Sequence, residues 1–127
     1  MRFMNIVRTA ENSPLGPPPK ALMDAIAKLG EEATKAGVFV ETGGLMPSAA
    51  GARLRLTGGK LTVTDGPFSE AKEVIGGFAV FDVKSKAEAV EWARRFMNLH
   101  TQHWPGWEGE CEVRQFMDFA VGAMAAA

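Results

Sequence analysis

Two kinds of spacing divide this chain. Residues 3–8, 38–41, 53–57, 60–64, 78–83 and 111–117 read as strands, because apolar residues recur there with a period of two or in short unbroken runs. Residues 19–36 and 85–99 read as helices. In the first helix, Leu22, Ile26, Leu29 and Ala33 step by four, three and four and make one apolar stripe. In the second, the stripe is Ala89, Trp92, Ala93, Phe96 and Leu99. Ser85 followed three residues later by Glu88 is a capping box that fixes where this helix begins. Gly58-Gly59 joins two alternating runs, as a tight hairpin turn requires. That turn pairs Leu56 with Leu61 and Leu54 with Val63 on one face, and it predicts a half-buried hairpin.

The predicted order is β-α-β, hairpin, β-α-β. This order describes a ferredoxin-like α+β sandwich, with both helices on one face of an antiparallel sheet and a β-hairpin inserted. The strands at 3–8 and 78–83 carry apolar residues in both alternating sets. Two helices cover only one face of a sheet. Phe3, Val7, Phe78 and Val80 therefore call for a second cover, and the economical one is the same face of a second copy.

Composition narrows the class. A chain of 127 residues suits one domain, expected over residues 1–118, with an alanine-rich tail at 119–127. A hydrophobic share of 46% with a net charge of -1 excludes a disordered chain. The same balance gives no basic footprint for nucleic acid. One cysteine excludes an internal disulfide framework. No apolar run reaches the ~20 residues of a bilayer span, and the start of the chain lacks the long apolar stretch of a secretory signal. The expected location is the cytoplasm.

The stretch from Val63 to Phe78, Val-Thr-Asp-Gly-Pro-Phe-Ser-Glu-Ala-Lys-Glu-Val-Ile-Gly-Gly-Phe, resembles the signature of the YCII-related family in its DGPF branch. Glu112-Val113-Arg114-Gln115 is similar to the family's closing Glu-Val-Arg-Pro, with Gln115 in place of proline. The resemblance covers about residues 1–118 in element order. It implies a homodimeric α+β barrel, two sheets face to face. The wider superfamily looks similar to small lactone isomerases and cofactor-free oxygenases, which use a pocket inside each sheet–helix half. The resemblance also leaves open a regulatory module linked to sigma factors. The early histidine–aspartate pair of the broader group has no match here, since no histidine lies near the first strand.

Several residues could carry chemistry. Asp65-Gly66-Pro67 is turn chemistry, with Phe68 then entering the core. Asp65, Glu70, Lys72 and Glu73 also crowd into nine residues, which makes either a solvated charge cluster or a site. In the site reading, Asp65 is a base or orienter, and Glu70, Glu73 and Phe68 contact substrate. Lys72 and Arg114 hold negative charge, Arg114 by a bidentate contact. His103 is a second candidate for proton transfer. His100 and His103 are the only histidines, and His100 is expected at the surface or capping its helix. Their spacing fits no helical or knuckle metal pattern, and Trp104-Pro105 turns the chain beside them, so no metal is expected. No phosphate loop, serine elbow or dinucleotide fingerprint occurs, so no organic cofactor is expected. The function expected is binding or transformation of a small organic molecule, neutral or anionic. The alternative is a non-catalytic sensing module.

Overall fold

The computed structural model describes residues 1–117. The alanine-rich tail expected at 119–127 lies outside the described residues. Strand β1 (Arg2–Thr9) leads through a proline-rich loop to helix α1 (Lys20–Lys35) and strand β2 (Phe39–Gly44). A single 3₁₀ turn at Ser48–Ala50 precedes the hairpin β3 (Ala52–Thr57) and β4 (Lys60–Asp65). Strand β5 (Val74–Asp82), helix α2 (Lys86–His103) and strand β6 (Glu110–Gln115) complete the chain. The main sheet is antiparallel with order β2-β5-β1-β6, as a ferredoxin-like α+β fold demands. Among the described residues, no helix is long and apolar enough to cross a membrane.

The register sorts the side chains between the faces. Phe81 has Phe3 opposite it on one side and Phe39 on the other, and this row faces the helices. There Phe3, Ala33, Phe81, Val83 and Ala89 form the buried centre, with Trp92 and Val113 packed against it. The Phe81 ring meets Phe39 edge-on and stacks on Trp92, both at 5.9 Å between centroids. Burying a side chain of the size of Phe or Val contributes about 1.5–3 kcal/mol, so this cluster supplies the main hold between the layers. Phe3 and Val7 thus belong under the helices, and Phe78 and Val80 to the opposite face. On that opposite face Met4, Ile6 and Phe78 are half-buried, while Val80 between Met4 and Glu41 is buried.

Local signals set the helix ends. Ser85 Oγ accepts the Glu88 N–H at 3.2 Å, and the Glu88 carboxylate accepts the Lys84 N–H at 3.0 Å. Helix α2 runs to His103, four residues beyond the expected end at Leu99. Nothing in 100–103 breaks a helix, and the stop comes only at Trp104, which Pro105 forces out of helical geometry. Strand β5 starts at Val74, earlier than the sequence pattern suggests, because β1 and β2 pair with it on both sides across Gly76 and Gly77.

The hairpin register is the one the Gly-Gly turn dictates: Leu54 opposes Val63 and Leu56 opposes Leu61, with Gly58 and Gly59 at φ +59° and +77°. Its burial differs from expectation. Leu54, Leu56, Leu61 and Val63 are 58–71% exposed. The pair forms its own two-stranded sheet outside the ladder of the main one, so no strand or helix of the described residues covers that aliphatic face.

The extra turn of α2 places His100 in the interior rather than at the surface. It is 7% exposed, with its Nδ1–H donating to the Phe96 carbonyl at 3.0 Å. Its ring lies 4.3 Å from Trp107 and 4.8 Å from Phe96. Burial pulls its pKa below the ordinary 6.5, and the Phe96 bond opposes that only in part. The folded state therefore resists protonation that the unfolded chain accepts. Stability is complete above pH ~6.5 and falls as pH drops from there toward the lowered folded value. Denaturation midpoints measured between pH 5 and 7.5 are expected to fall on acidification by up to one proton's worth of slope, and His100→Gln is expected to flatten that slope. A wild-type midpoint independent of pH in this range contradicts the buried neutral ring.

Candidate functional site

Three loops meet beyond the Gly44 end of the sheet. The first follows β1 and carries Glu11. The second is the Ser48 turn after β2. The third is the Asp65–Phe68 turn after the hairpin. Glu11 joins them: its carboxylate accepts hydrogen bonds from both the Ser48 backbone N–H and the Ser48 hydroxyl. These bonds, the hydroxyl first, hold the Glu11 carboxyl below the usual carboxylate range. Ser48 Oγ in turn accepts the Phe68 N–H at 3.0 Å. Gly66 N–H donates to the Gly51 carbonyl at 2.9 Å. A Cβ on Gly66 would stand 1.7 Å from the Ser48 carbonyl oxygen, so only glycine lets the two turns nest.

This nesting shapes a cleft of about 450 Å³. Leu45, Met46, Phe68 and Val74 give it an apolar wall. Ser48, Arg53 and Glu73 are its polar members. Arg53 comes from β3, on the face of the hairpin that carries Thr64 and Thr62 rather than the leucines. Its guanidinium lies 4.1 Å over the Phe68 ring and donates to the Glu70 carboxylate. That hydrogen bond is the main reason the Glu70 carboxyl stands below its ordinary range.

The residues singled out from the sequence fall in different places. Phe68 and Glu73 line the cleft, and Glu70 reaches it through Arg53. Phe68 is half-buried beneath Arg53 rather than in the main core. Asp65 ends β4 opposite Ala52 and is exposed; among the described residues no hydrogen bond engages its carboxylate. Lys72 is exposed in the segment after the turn. His103 lies in a groove of about 440 Å³ between the helices, with Lys28, Glu32 and Arg95. There Arg95 bonds Glu32 across the helix pair and packs 4.9 Å over Trp92. Arg114 sits on the sheet face away from the helices, in register with Met4, its side chain 70% exposed. It donates to Glu112 at 2.8 Å, and Arg8 donates to the same carboxylate at 2.6 Å. Those two guanidiniums lower the Glu112 carboxyl. The cleft therefore gathers the Phe68–Glu73 end of the motif, and Arg114 and His103 line other surfaces.

Three members of this arrangement are not among the residues singled out from the sequence: Glu11, Ser48 and Arg53. Arg53 alone left a sign, as a cation on the polar face of a hairpin directly before the motif. Among the described residues, no three His, Cys, Asp or Glu side chains gather closely enough to hold a metal ion. Cys111 is free and half-buried, and burial pushes its thiol pKa up, away from a reactive thiolate.

Comparison with known proteins relates the chain to a family and to a relative. The model of a family described as "YCII-related domain" matches residues 1–117. An uncharacterised protein of Rhizobium meliloti (strain 1021) is 33% identical over 102 residues, covering 80% of this chain and 76% of that protein.

Proposed function

The chain belongs to the YCII-related domain family, and from that premise we propose that it binds and transforms a small organic molecule in the cleft beside the Asp65–Phe68 turn. The observation that carries this reading is the cleft itself: about 450 Å³, mostly apolar, with Ser48, Arg53 and Glu73 as its few polar members. Small-molecule sites have that size and that sparse polar lining. Glu73 is the carboxylate available inside it. Asp65 and Lys72 flank the same turn and remain candidates for proton transfer and for holding negative charge. His103 and Arg114 take no part in this reading. The Asp65-to-Phe78 motif supports the DGPF branch of the family, and the free Cys111 goes with a cytoplasmic location.

Amide chemical shifts recorded against a library of neutral and charged small organic fragments test the proposal. Shifts are expected to cluster at Ser48, Phe68 and Val74. Shifts that are absent, or that cluster away from these residues, overturn it. The second reading, a non-catalytic module, draws on the exposed hairpin face, since such a patch suits protein docking. Fragments that bind without ever being converted favour it.

The reading includes a homodimer formed through the sheet face that the helices leave uncovered. Met4, Ile6 and Phe78 give that face its apolar centre, and Ile75 beyond them is 44% exposed. Beside it, Glu112 pairs with both Arg8 and Arg114, which leaves one net positive charge at the edge of the apolar centre. Sedimentation at micromolar concentration is expected to give twice the chain mass of 13.6 kDa, and Ile6→Glu the single mass. A wild-type monomer contradicts the dimer.

A further inference from the structure

We infer that the cleft takes an organic monoanion, an apolar body with one carboxylate, whose charged group binds Arg53 in exchange for Glu70. The inference deepens the cleft-binding proposal and rests on it. Arg53 is the cation of this cleft, and it is held in a fixed plane. The Phe68 ring lies 4.1 Å beneath its guanidinium. Such stacking orients the group while leaving its N–H edge free to bond. A guanidinium has five N–H donors. Among the described residues, one of them meets an acceptor, the Glu70 carboxylate.

Glu70 is built to be displaced. Its side chain is 66% exposed against 32% for Arg53. An exposed ion pair of this kind is weak, because water competes for both partners. A carboxylate arriving with an apolar body keeps the charge-assisted bond that Glu70 made. It also removes its hydrocarbon part from water against Leu45, Met46 and Phe68. Glu70 gives neither that burial nor a second N–H contact. The released Glu70 returns to solvent, where a carboxylate is ionised at neutral pH.

Glu73 sets the charge of the ligand. It lines the same cleft and contributes a negative charge there. A second anionic group on the ligand would meet that charge in a partly desolvated space. Monoanions are thereby preferred over dianions, and neutral isosteres lose the Arg53 bond.

Benzoate, phthalate and benzamide serve as probes: one ring bearing one charge, two charges and none. Titration of the whole chain, followed by the Phe68 and Ser48 amide shifts, is expected to rank benzoate above phthalate and benzamide. Arg53→Gln is expected to weaken benzoate by about tenfold or more, the loss of one charge-assisted bond. Glu70→Gln removes the competing carboxylate and is expected to tighten benzoate several-fold. Should Arg53→Gln fail to fold, Glu70→Gln decides alone, and an unchanged benzoate affinity there overturns the inference. Benzamide binding as well as benzoate overturns the anion assignment and leaves the cleft reading standing. So does a lack of benzoate binding while neutral fragments shift the cleft. A cleft that answers to no probe and no fragment overturns both.

Discussion

The carboxylate of Glu11 is the point on which the motif end of this molecule depends. One side chain, in the loop after β1, takes both hydrogen bonds that Ser48 can donate from its backbone and hydroxyl. Ser48 then has its hydroxyl oxygen turned toward Phe68 N–H, and its carbonyl set into the space Gly66 leaves. The hairpin has no ladder to the main sheet; the Gly66–Gly51 bond closes its root, and this relay ties that root to the loop after β1. Arg53 and Phe68 reach each other across that root. Without the relay, the cleft has no defined wall.

The Asp65–Phe68 motif is therefore a turn that also supplies a wall of the candidate cleft. Gly66 is there for packing. Phe68 is there as the floor under a cation. The charges that follow divide by place: Glu70 against Arg53, Glu73 in the cleft, Lys72 in solvent. A site built in this way belongs to loops carried on a rigid frame. The frame is the Phe3–Phe81–Ala89 core between sheet and helices, and it takes no direct part in the cleft.

Much of the fold was legible because its signals are local. Gly58-Gly59 fixes which residues of the hairpin face one another, and Ser85 with Glu88 fixes the start of α2. What escaped is tertiary. Periodicity shows that Leu54, Leu56, Leu61 and Val63 share a face, but only the sheet order shows that this face lies outside the main ladder. His100 reads as a helix-end cation, and only the arrival of Trp107 makes it a buried neutral ring. Glu11 and Ser48 are 37 positions apart and unremarkable in composition. Arg114 looked like an anion clamp by its place in a closing motif. In the fold, Arg114 lies opposite Met4 on the far side of the sheet from the helices, where it bonds Glu112 of its own strand, away from the cleft. The cation over the motif is instead the hairpin's Arg53.

Amide hydrogen exchange at Phe68 tests the relay most directly, since Glu11 does not itself bond Phe68. In the wild-type chain the Phe68 amide is expected to be protected by Ser48 Oγ. With Glu11→Ala, Ser48 loses both its anchors, and the Phe68 amide is predicted to exchange much faster while the β1–β5 amides at Phe3 and Phe81 keep their protection. Phe68 protection left unchanged by Glu11→Ala would contradict the account, because the motif turn would then be held by something other than the carboxylate that reaches it through Ser48.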